Sequence, residues 1–205
     1  MALLHPSYFS PIAQYSAIIN AENYQFEVED NYQKQTYRNR CYIFGPNGKQ
    51  LLNVPTQHQK HIKLMTKDVR IDYDTSDWQL NHLRSFQAAY RSSPFYEYYE
   101  DDIISIFNRK HKYLLDLNLD IHTFIMECLQ ENINYTQTSQ YSKETNINDF
   151  RYLINAKQKK EPVFTSYTQM FDNKFGFLNN LSILDLLFME GPSASIYLKR
   201  NKLIL

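Results

Sequence analysis

The hydrophobic pattern of the chain changes its period near Trp78, and this change restricts the fold more than any other feature. Before it, apolar and polar residues alternate, as from Tyr24 to Val28, and the Gly-Pro-Asn-Gly turn at 45–48 predicts a hairpin near residues 38–54. After it, apolar residues recur at helical spacing, as in 113–129. We therefore predict an α/β fold in which a mixed sheet from the N-terminal half is covered by helices mostly from the C-terminal half. An α+β arrangement is the alternative.

Shorter segments complete this outline. The apolar residues from Ala2 to His5 predict the first strand, and residues 12–20 predict a short helix. Residues 69–73 alternate again and predict another strand. The polar residues 132–148 predict a loop, and residues 150–159 predict a helix.

Composition limits the class of protein. A length of 205 residues fits one domain, 1–205, and 22 basic against 22 acidic residues argue against a nucleic-acid or membrane-surface binder. Cys41 and Cys128 lie far apart and predict free thiols of a reducing compartment. No signal peptide or membrane-spanning run is evident, so we expect a cytoplasmic protein.

The common catalytic and nucleotide-binding motifs are missing from the sequence. With only four glycines, the chain cannot form a glycine-rich phosphate loop. His58 and His61 have a spacing that a metal site could use, but no cysteine or carboxylate lies close in sequence. A solvated loop explains them better, and we predict no metal site.

The residues Tyr24 to Ile43 combine charged, amide and aromatic side chains to a degree that neither a core strand nor a solvated loop requires. Lys34 and Arg40 could bind a phosphate or carboxylate. Asn31 and Asn39 could bind sugar hydroxyls, since an amide both donates and accepts hydrogen bonds. The alternative is a structural role, in which Glu29 and Asp30 form salt bridges with Lys34 and Arg40.

Outside this stretch, His5 follows the predicted first strand at the end where open α/β sheets bind ligands, so His5 or Glu29 could act as a general base. A turn or capping role for His5 stays open. His82 and Arg84 lie on different faces of one early helix, and His82 fits either the core or a ligand site. Asp185 sits in an apolar helix, and we expect it to be buried and paired, with an arginine of the first half as one candidate.

Several short pieces in a fixed order resemble the WbqC-like family. They are HPSYF at 5–9, FEVEDNYQKQTYRNR at 26–40, LLNVP at 51–55, Trp78 with His82 to Ser85 and Tyr90, Ser93 to Phe95, SYTQMF at 166–171, LSILDLLF at 181–188, and Gly191-Pro192.

The chain also departs from the family pattern. His5 stands where the family usually has glutamine, and Asn31 stands where glutamine precedes the retained Lys34. Longer members carry a Tyr-Leu-Ser-Gly segment that is absent between Asp149 and Thr165. If that segment closes a site, the resemblance implies a more open or differently made site here.

The resemblance implies a role in the biosynthesis of surface polysaccharide such as O-antigen, with a transferase acting on a nucleotide-activated sugar or another phosphorylated small molecule. The cofactor is unknown. A non-catalytic module that binds a sugar nucleotide or a partner protein is the alternative, and a homodimer stays open. A third hypothesis is a Rossmann-like nucleotidyltransferase relative, although residues 11–14 lack the usual histidines of that class.

Overall fold

A parallel sheet of four short strands runs through the computed structural model, which describes residues 1–57, 63–157 and 161–203. The strands lie in the order β5-β2-β1-β6. Their bounds are Ala2–Leu4 (β1), Tyr24–Phe26 (β2), Tyr135–Gln137 (β5) and Asn148–Asp149 (β6). All pairings are parallel, and β1 aligns Ala2 with Tyr24 on one side and with Asn148 on the other.

The helices connect and cover these strands. Their bounds are Ile12–Ile19 (α1), Trp78–Tyr90 (α2), Tyr96–Asn108 (α3), Leu114–Cys128 (α4), Asp172–Phe175 (α5), Ile183–Glu190 (α6) and Ala194–Arg200 (α7). The fold class is therefore confirmed as α/β or α+β. The helix α1 is buried along almost its whole length because it packs against both α6 and α7 as well as β1.

The predicted hairpin is confirmed and forms a separate two-stranded sheet. Its strands are Arg40–Gly45 (β3) and Gly48–Asn53 (β4), joined at a Gly45–Gly48 pair. Groups outside the parallel sheet take two backbone bonds of the hairpin: the Tyr90 hydroxyl accepts from the Phe44 amide, and the Ser182 amide donates to the Tyr42 carbonyl.

Three local predictions differ from the structure. The outer strands β5 and β6 lie within residues 135–149, almost all of which were predicted as a loop (132–148). These mostly exposed edge strands have no buried face that would give an alternating pattern. Residues 69–73 form only isolated bridges, Thr56 with Ile71 and Arg70 with Tyr113. The helix predicted at 150–159 is a 3-10 turn at Arg151–Ile154, and residues 158–160 lie outside the described part.

Asp185 lies fully buried in the first turn of α6, as expected, but its partners are not arginines. Its carboxylate accepts hydrogen bonds from the Tyr90 hydroxyl at 2.8 Å, the Tyr167 hydroxyl at 2.6 Å and the Gln169 amide at 2.9 Å. Burial raises the pKa of this carboxyl group, and the three donors oppose that shift. The carboxylate thereby connects α2, α6 and the 166–171 segment.

Where the structure describes them, none of the helices combines the length and the hydrophobicity that crossing a membrane requires.

We expect Gly191→Ala to destabilise the protein more than the matched variant Gly176→Ala. Both glycines have positive φ, 53° and 73°, so both variants incur backbone strain of about 1–3 kcal/mol. Only at Gly191 would a Cβ atom meet another group, the Phe95 ring at 2.6 Å. Overpacking should therefore cost Gly191→Ala about 1–3 kcal/mol more. Urea unfolding measures the difference, and equal losses would contradict this packing.

Candidate functional site

A cleft of about 870 Å³ lies where the parallel strands end, and we call it the edge cleft. It is lined by His5, Asp30, Asn31, Gln33, Tyr141, Arg151, Tyr152, Ile154, Asn155 and Lys157. Most of these side chains are polar, and the apolar part comes chiefly from two tyrosine rings and an isoleucine.

The strand order explains why these residues meet. His5 directly follows β1, Asp30 comes shortly after β2, Tyr141 after β5 and Arg151 after β6. In parallel strands all these positions are at the same edge of the sheet. From β1 the chain proceeds through β2 to one side and returns later as β6 on the other, so His5 lies where the strand order reverses. Open α/β sheets bind ligands at this point.

The loop between β1 and α1 holds His5 in place. The Gln14 side chain donates to the His5 carbonyl at 2.8 Å and to the Ser10 hydroxyl at 3.1 Å. Phe9 takes a positive φ of 38°, which is a strained conformation for a bulky residue, and its ring is fully buried. A buried loop with internally bonded polar groups gives His5 a fixed position.

A buried ion pair lies beside His5. The Arg38 guanidinium, 1% exposed, donates to Asp30 Oδ2 at 2.5 Å, and the Thr66 hydroxyl donates to Asp30 Oδ1 at 2.5 Å. The same Arg38 Nη2 atom lies 3.2 Å from both ring nitrogens of His5. Asp30 therefore neutralises Arg38 and is also one of the residues that line the edge cleft.

His5 is neutral in this environment. Burial lowers the pKa of the imidazole well below its ordinary value of 6.5, and the positive charges of Arg38 and Arg151 lower it further. His5 Nδ1 lies 3.4 Å from the Glu27 carbonyl. A proton on Nδ1 would donate to that carbonyl and leave Nε2 to accept from Arg38. We assign this tautomer because Arg38 can only donate.

The positive charge of Arg151, which lines the edge cleft, is also compensated by carboxylates of the protein. Arg151 donates to both carboxylate oxygens of Asp149, with Nη2 to Oδ2 at 2.7 Å, and to the carbonyls of Ser142 and Lys143. Its Nη1 lies 3.6 Å from the carboxylate of Glu27, which is 1% exposed. The arginines beside the cleft thus have carboxylate partners within the protein.

A second cleft of about 410 Å³ contains most of the predicted basic and amide residues, and we call it the hairpin cleft. It is lined by Tyr32, Lys34, Gln35, Asn39, Arg40, Asn53, Pro55, Thr56, Asp72 and Thr75. The structure therefore divides the predicted set: His5 and Asn31 line the edge cleft, and Lys34, Asn39 and Arg40 line the hairpin cleft.

The remaining predicted residues line neither cleft. The Glu29 carboxylate binds the Lys67 ammonium through both oxygens, at 2.8 and 2.7 Å. His82 is 4% exposed and lies among aromatic rings, with its Nδ1 atom 2.7 Å from the Tyr8 hydroxyl. Arg84 is exposed on α2. The salt bridges proposed from sequence also have other partners, since Glu29 pairs with Lys67 and Asp30 with Arg38.

The sequence reasoning missed the residues that follow β5 and β6. Tyr141, Arg151, Asn155 and Lys157 line the edge cleft, but the strands that position them were read as loop or helix. The signal that was available is the segment after Asp149. This segment carries Arg151, Asn155 and Lys157, and it supplies one wall of the edge cleft.

The start of α1 has no backbone amide free for a phosphate. The Ile12 amide donates to the Leu181 carbonyl at 3.0 Å, and the Ala13 amide donates to Asn180 Oδ1 at 2.9 Å. Pro11 has no N–H group. The position at which many nucleotide-binding folds hold phosphate is therefore filled by the protein itself.

Within 1–57, 63–157 and 161–203, no cluster of three or more histidine, cysteine, aspartate or glutamate side chains could hold a metal ion. His58 and His61, whose spacing drew attention in the sequence, lie outside the described residues.

We expect Asp30→Asn to destabilise the protein by about 3–5 kcal/mol, because it leaves the buried Arg38 charge without a counter-charge. The matched control is Asp120→Asn, whose carboxylate is 35% exposed and pairs with both Arg109 and His111, so a smaller loss of about 1 kcal/mol is expected. Denaturant unfolding measures both losses. Similar losses for the two variants would contradict a buried pair.

We also expect the acid sensitivity of the protein to decrease in His82→Gln. Burial lowers the pKa of His82 from 6.5 to about 4 in the folded state, whereas the unfolded chain keeps the ordinary value. Between these values only the unfolded state gains the proton, so the free energy of unfolding falls by about 1.4 kcal/mol per pH unit as pH decreases. The stability difference between wild type and variant should therefore shrink from neutral pH to about pH 4. A constant difference would contradict a neutral buried imidazole.

The comparisons with known proteins agree with the resemblance found in the sequence. A family model described as the WbqC-like protein family matches residues 6–161, which is well over half of the chain. No curated protein and no solved structure matches it. The chain therefore belongs to the WbqC-like protein family.

Proposed function

We propose that the protein binds a nucleotide-activated sugar in the edge cleft and transfers the sugar in the biosynthesis of a surface polysaccharide. The observation that carries this proposal is the position of the cleft: its polar residues meet at the carboxyl edge of a parallel sheet, where the strand order reverses. The association of the WbqC-like family with surface polysaccharides supports the choice of ligand.

The residues around the cleft suit a molecule with many hydroxyl groups. Asn31, Gln33 and Asn155 carry side-chain amides that both donate and accept hydrogen bonds, as sugar hydroxyls require. The ring of Tyr141 gives an apolar surface against which a sugar or base can pack. Lys157, on the rim, supplies a positive charge for a diphosphate, and its ammonium now donates to Gln35 at 2.8 Å.

In this proposal an acceptor hydroxyl attacks the anomeric carbon of the activated sugar. A new carbon–oxygen bond forms, the bond from that carbon to the phosphate oxygen breaks, and the nucleotide leaves with the electron pair. Asp30 accepts the hydroxyl proton, since its carboxylate reaches the cleft and is oriented by Arg38 and Thr66. His5, whose Nε2 atom lies 3.8 Å from Asp30 Oδ2, is a positioning residue that holds Arg38 against Asp30.

These roles modify the expectation drawn from sequence, in which His5 or Glu29 is the base. Glu29 does not line the edge cleft, whereas Asp30 does. Asp30, the next residue, is better placed for proton transfer.

The second candidate function is a non-catalytic module that binds the same ligand. This candidate is favoured because Arg38, Arg151 and Glu29 already form ion pairs within the protein, which leaves their charges less available to a reaction. The pKa of His5 is also lowered. Nucleotidyl transfer has no such support, because the backbone amides at the start of α1 are already bonded.

We further propose a cytoplasmic location, which the unpaired thiols of Cys41 and Cys128 support. A homodimer stays open.

Calorimetric titration with UDP-N-acetylglucosamine as the probe tests the proposal. Asn31→Ala should weaken binding by about tenfold, the effect of one hydrogen bond lost in a polar site. The matched control is Asn81→Ala, at an exposed position on α2, which should leave the affinity unchanged. Equal affinities of the two variants would contradict a ligand site in the edge cleft, as would the absence of binding by a panel of sugar nucleotides.

The two candidate functions, transfer and non-catalytic binding, are distinguished by measuring nucleotide release from the bound sugar nucleotide. The assay contains a cell extract that supplies the acceptor. Release that is lost in His5→Gln while binding persists supports transfer. Binding without release by the wild-type protein supports the non-catalytic module.

A further inference from the structure

The segment from Asp30 to Gln35 separates the two clefts. Asp30, Asn31 and Gln33 line the edge cleft, whereas Tyr32, Lys34 and Gln35 line the hairpin cleft. The Tyr32 amide donates to the Leu64 carbonyl, and the Thr66 amide donates to the Asp30 carbonyl, so a neighbouring segment holds this wall by its backbone. The chain thus presents different chemistry to its two sides.

The two clefts differ in how their positive charges are compensated. Arg38 and Arg151, beside the edge cleft, each bind a carboxylate of the protein. In the described part of the chain, the Lys34 and Arg40 side chains form neither a hydrogen bond nor an ion pair. Arg40 is half-buried, and its Nε atom is shielded from solvent without a bonding partner. The Arg38 Nε atom is unpaired in the same way, but Arg38 Nη2 binds Asp30, whereas Arg40 has no carboxylate partner among the described residues.

The carboxylate present in the hairpin cleft has another role. Asp72 Oδ1 accepts hydrogen bonds from the amides of Asp74 and Thr75, at 2.9 and 3.3 Å, and so stabilises its own turn. Neutral polar groups make up much of the remaining lining, among them the hydroxyl of Thr56 and the amides of Asn39 and Asn53. Asn39 is 7% exposed and is held by the Val54 carbonyl at 2.9 Å. Lys34 and Arg40 therefore share the cleft with neutral polar groups and with one carboxylate, Asp72, which also accepts backbone hydrogen bonds.

We propose that the hairpin cleft is a separate binding site for the phosphate group of a second ligand. The planar guanidinium of Arg40 can donate to two phosphate oxygens, and Lys34 adds an ammonium from the wall segment. If the proposed transferase function holds, this ligand is a phosphorylated acceptor whose phosphate binds on this side of the 30–35 segment and whose reacting hydroxyl extends past it to Asp30 in the edge cleft. The anion site itself does not depend on that function.

Phosphate titration of the whole protein tests this site. Two probes are used, inorganic phosphate and glucose 1-phosphate. Their binding is measured by calorimetry and by the change in the NMR signal of the Arg40 Nε–H group. Arg40→Gln should weaken phosphate binding by about tenfold, because a charge-assisted hydrogen bond is lost. The matched control Arg91→Gln removes an exposed arginine outside both clefts and should leave binding unchanged. A tighter Kd for glucose 1-phosphate than for inorganic phosphate identifies a phosphate ester as the ligand; equal values identify the free ion.

The outcomes separate this proposal from the previous one. Phosphate binding that is lost in Arg40→Gln and kept in Asn31→Ala supports a separate anion site, whether or not a sugar nucleotide binds the edge cleft. Equal effects of Arg40→Gln and Arg91→Gln would overturn the proposal. The absence of saturable phosphate binding by the wild-type protein, or an equal loss in Asn31→Ala, would also overturn it.

Discussion

The buried ion pair between Asp30 and Arg38 is the interaction on which the candidate site depends. Arg38 is 1% exposed, so its charge must be compensated inside the protein, and Asp30 is the carboxylate that does so. The pair fixes the chain after β2 against the beginning of the hairpin. Through Thr66 and the carbonyl of Arg38, which accepts from Asn118, it also holds the 66–68 turn and α4. His5 is packed against the same guanidinium.

This compensation divides the chemistry between the two clefts. Because Asp30 and Asp149 neutralise the arginines of the edge cleft, that cleft presents mainly amide and phenol groups with Lys157 at its rim. The hairpin cleft keeps the charges of Lys34 and Arg40 for a ligand. We therefore propose that polyol binding and anion binding, which the sequence suggested for a single site, take place on opposite sides of the 30–35 segment.

The elements that could be predicted from the sequence are those with a distinct local signal, either characteristic turn residues or a regular apolar face. The hairpin at 45–48 follows from its turn residues, and α4 follows from a regular apolar face, so both could be located closely. The position of His5 after β1 was also predictable, since a buried apolar strand ends there.

The parts that could not be predicted depend on tertiary contacts. The short outer strands β5 and β6 are stabilised only by pairing with β2 and β1 and carry no pattern of their own. Which basic residue pairs with Asp30 depends on side-chain direction, which sequence spacing does not give. For the same reason the sequence placed Lys34 and Arg40 in one site with His5, whereas the wall segment directs them into another cleft.

A crystal structure of the protein soaked with UDP-N-acetylglucosamine tests the central claim most directly. The account predicts electron density in the edge cleft, with sugar hydroxyls within hydrogen-bonding distance of Asn31 or Asn155 and the reacting carbon facing Asp30 and His5. Density for the ligand at another surface, with the edge cleft empty at saturating concentration, would contradict it.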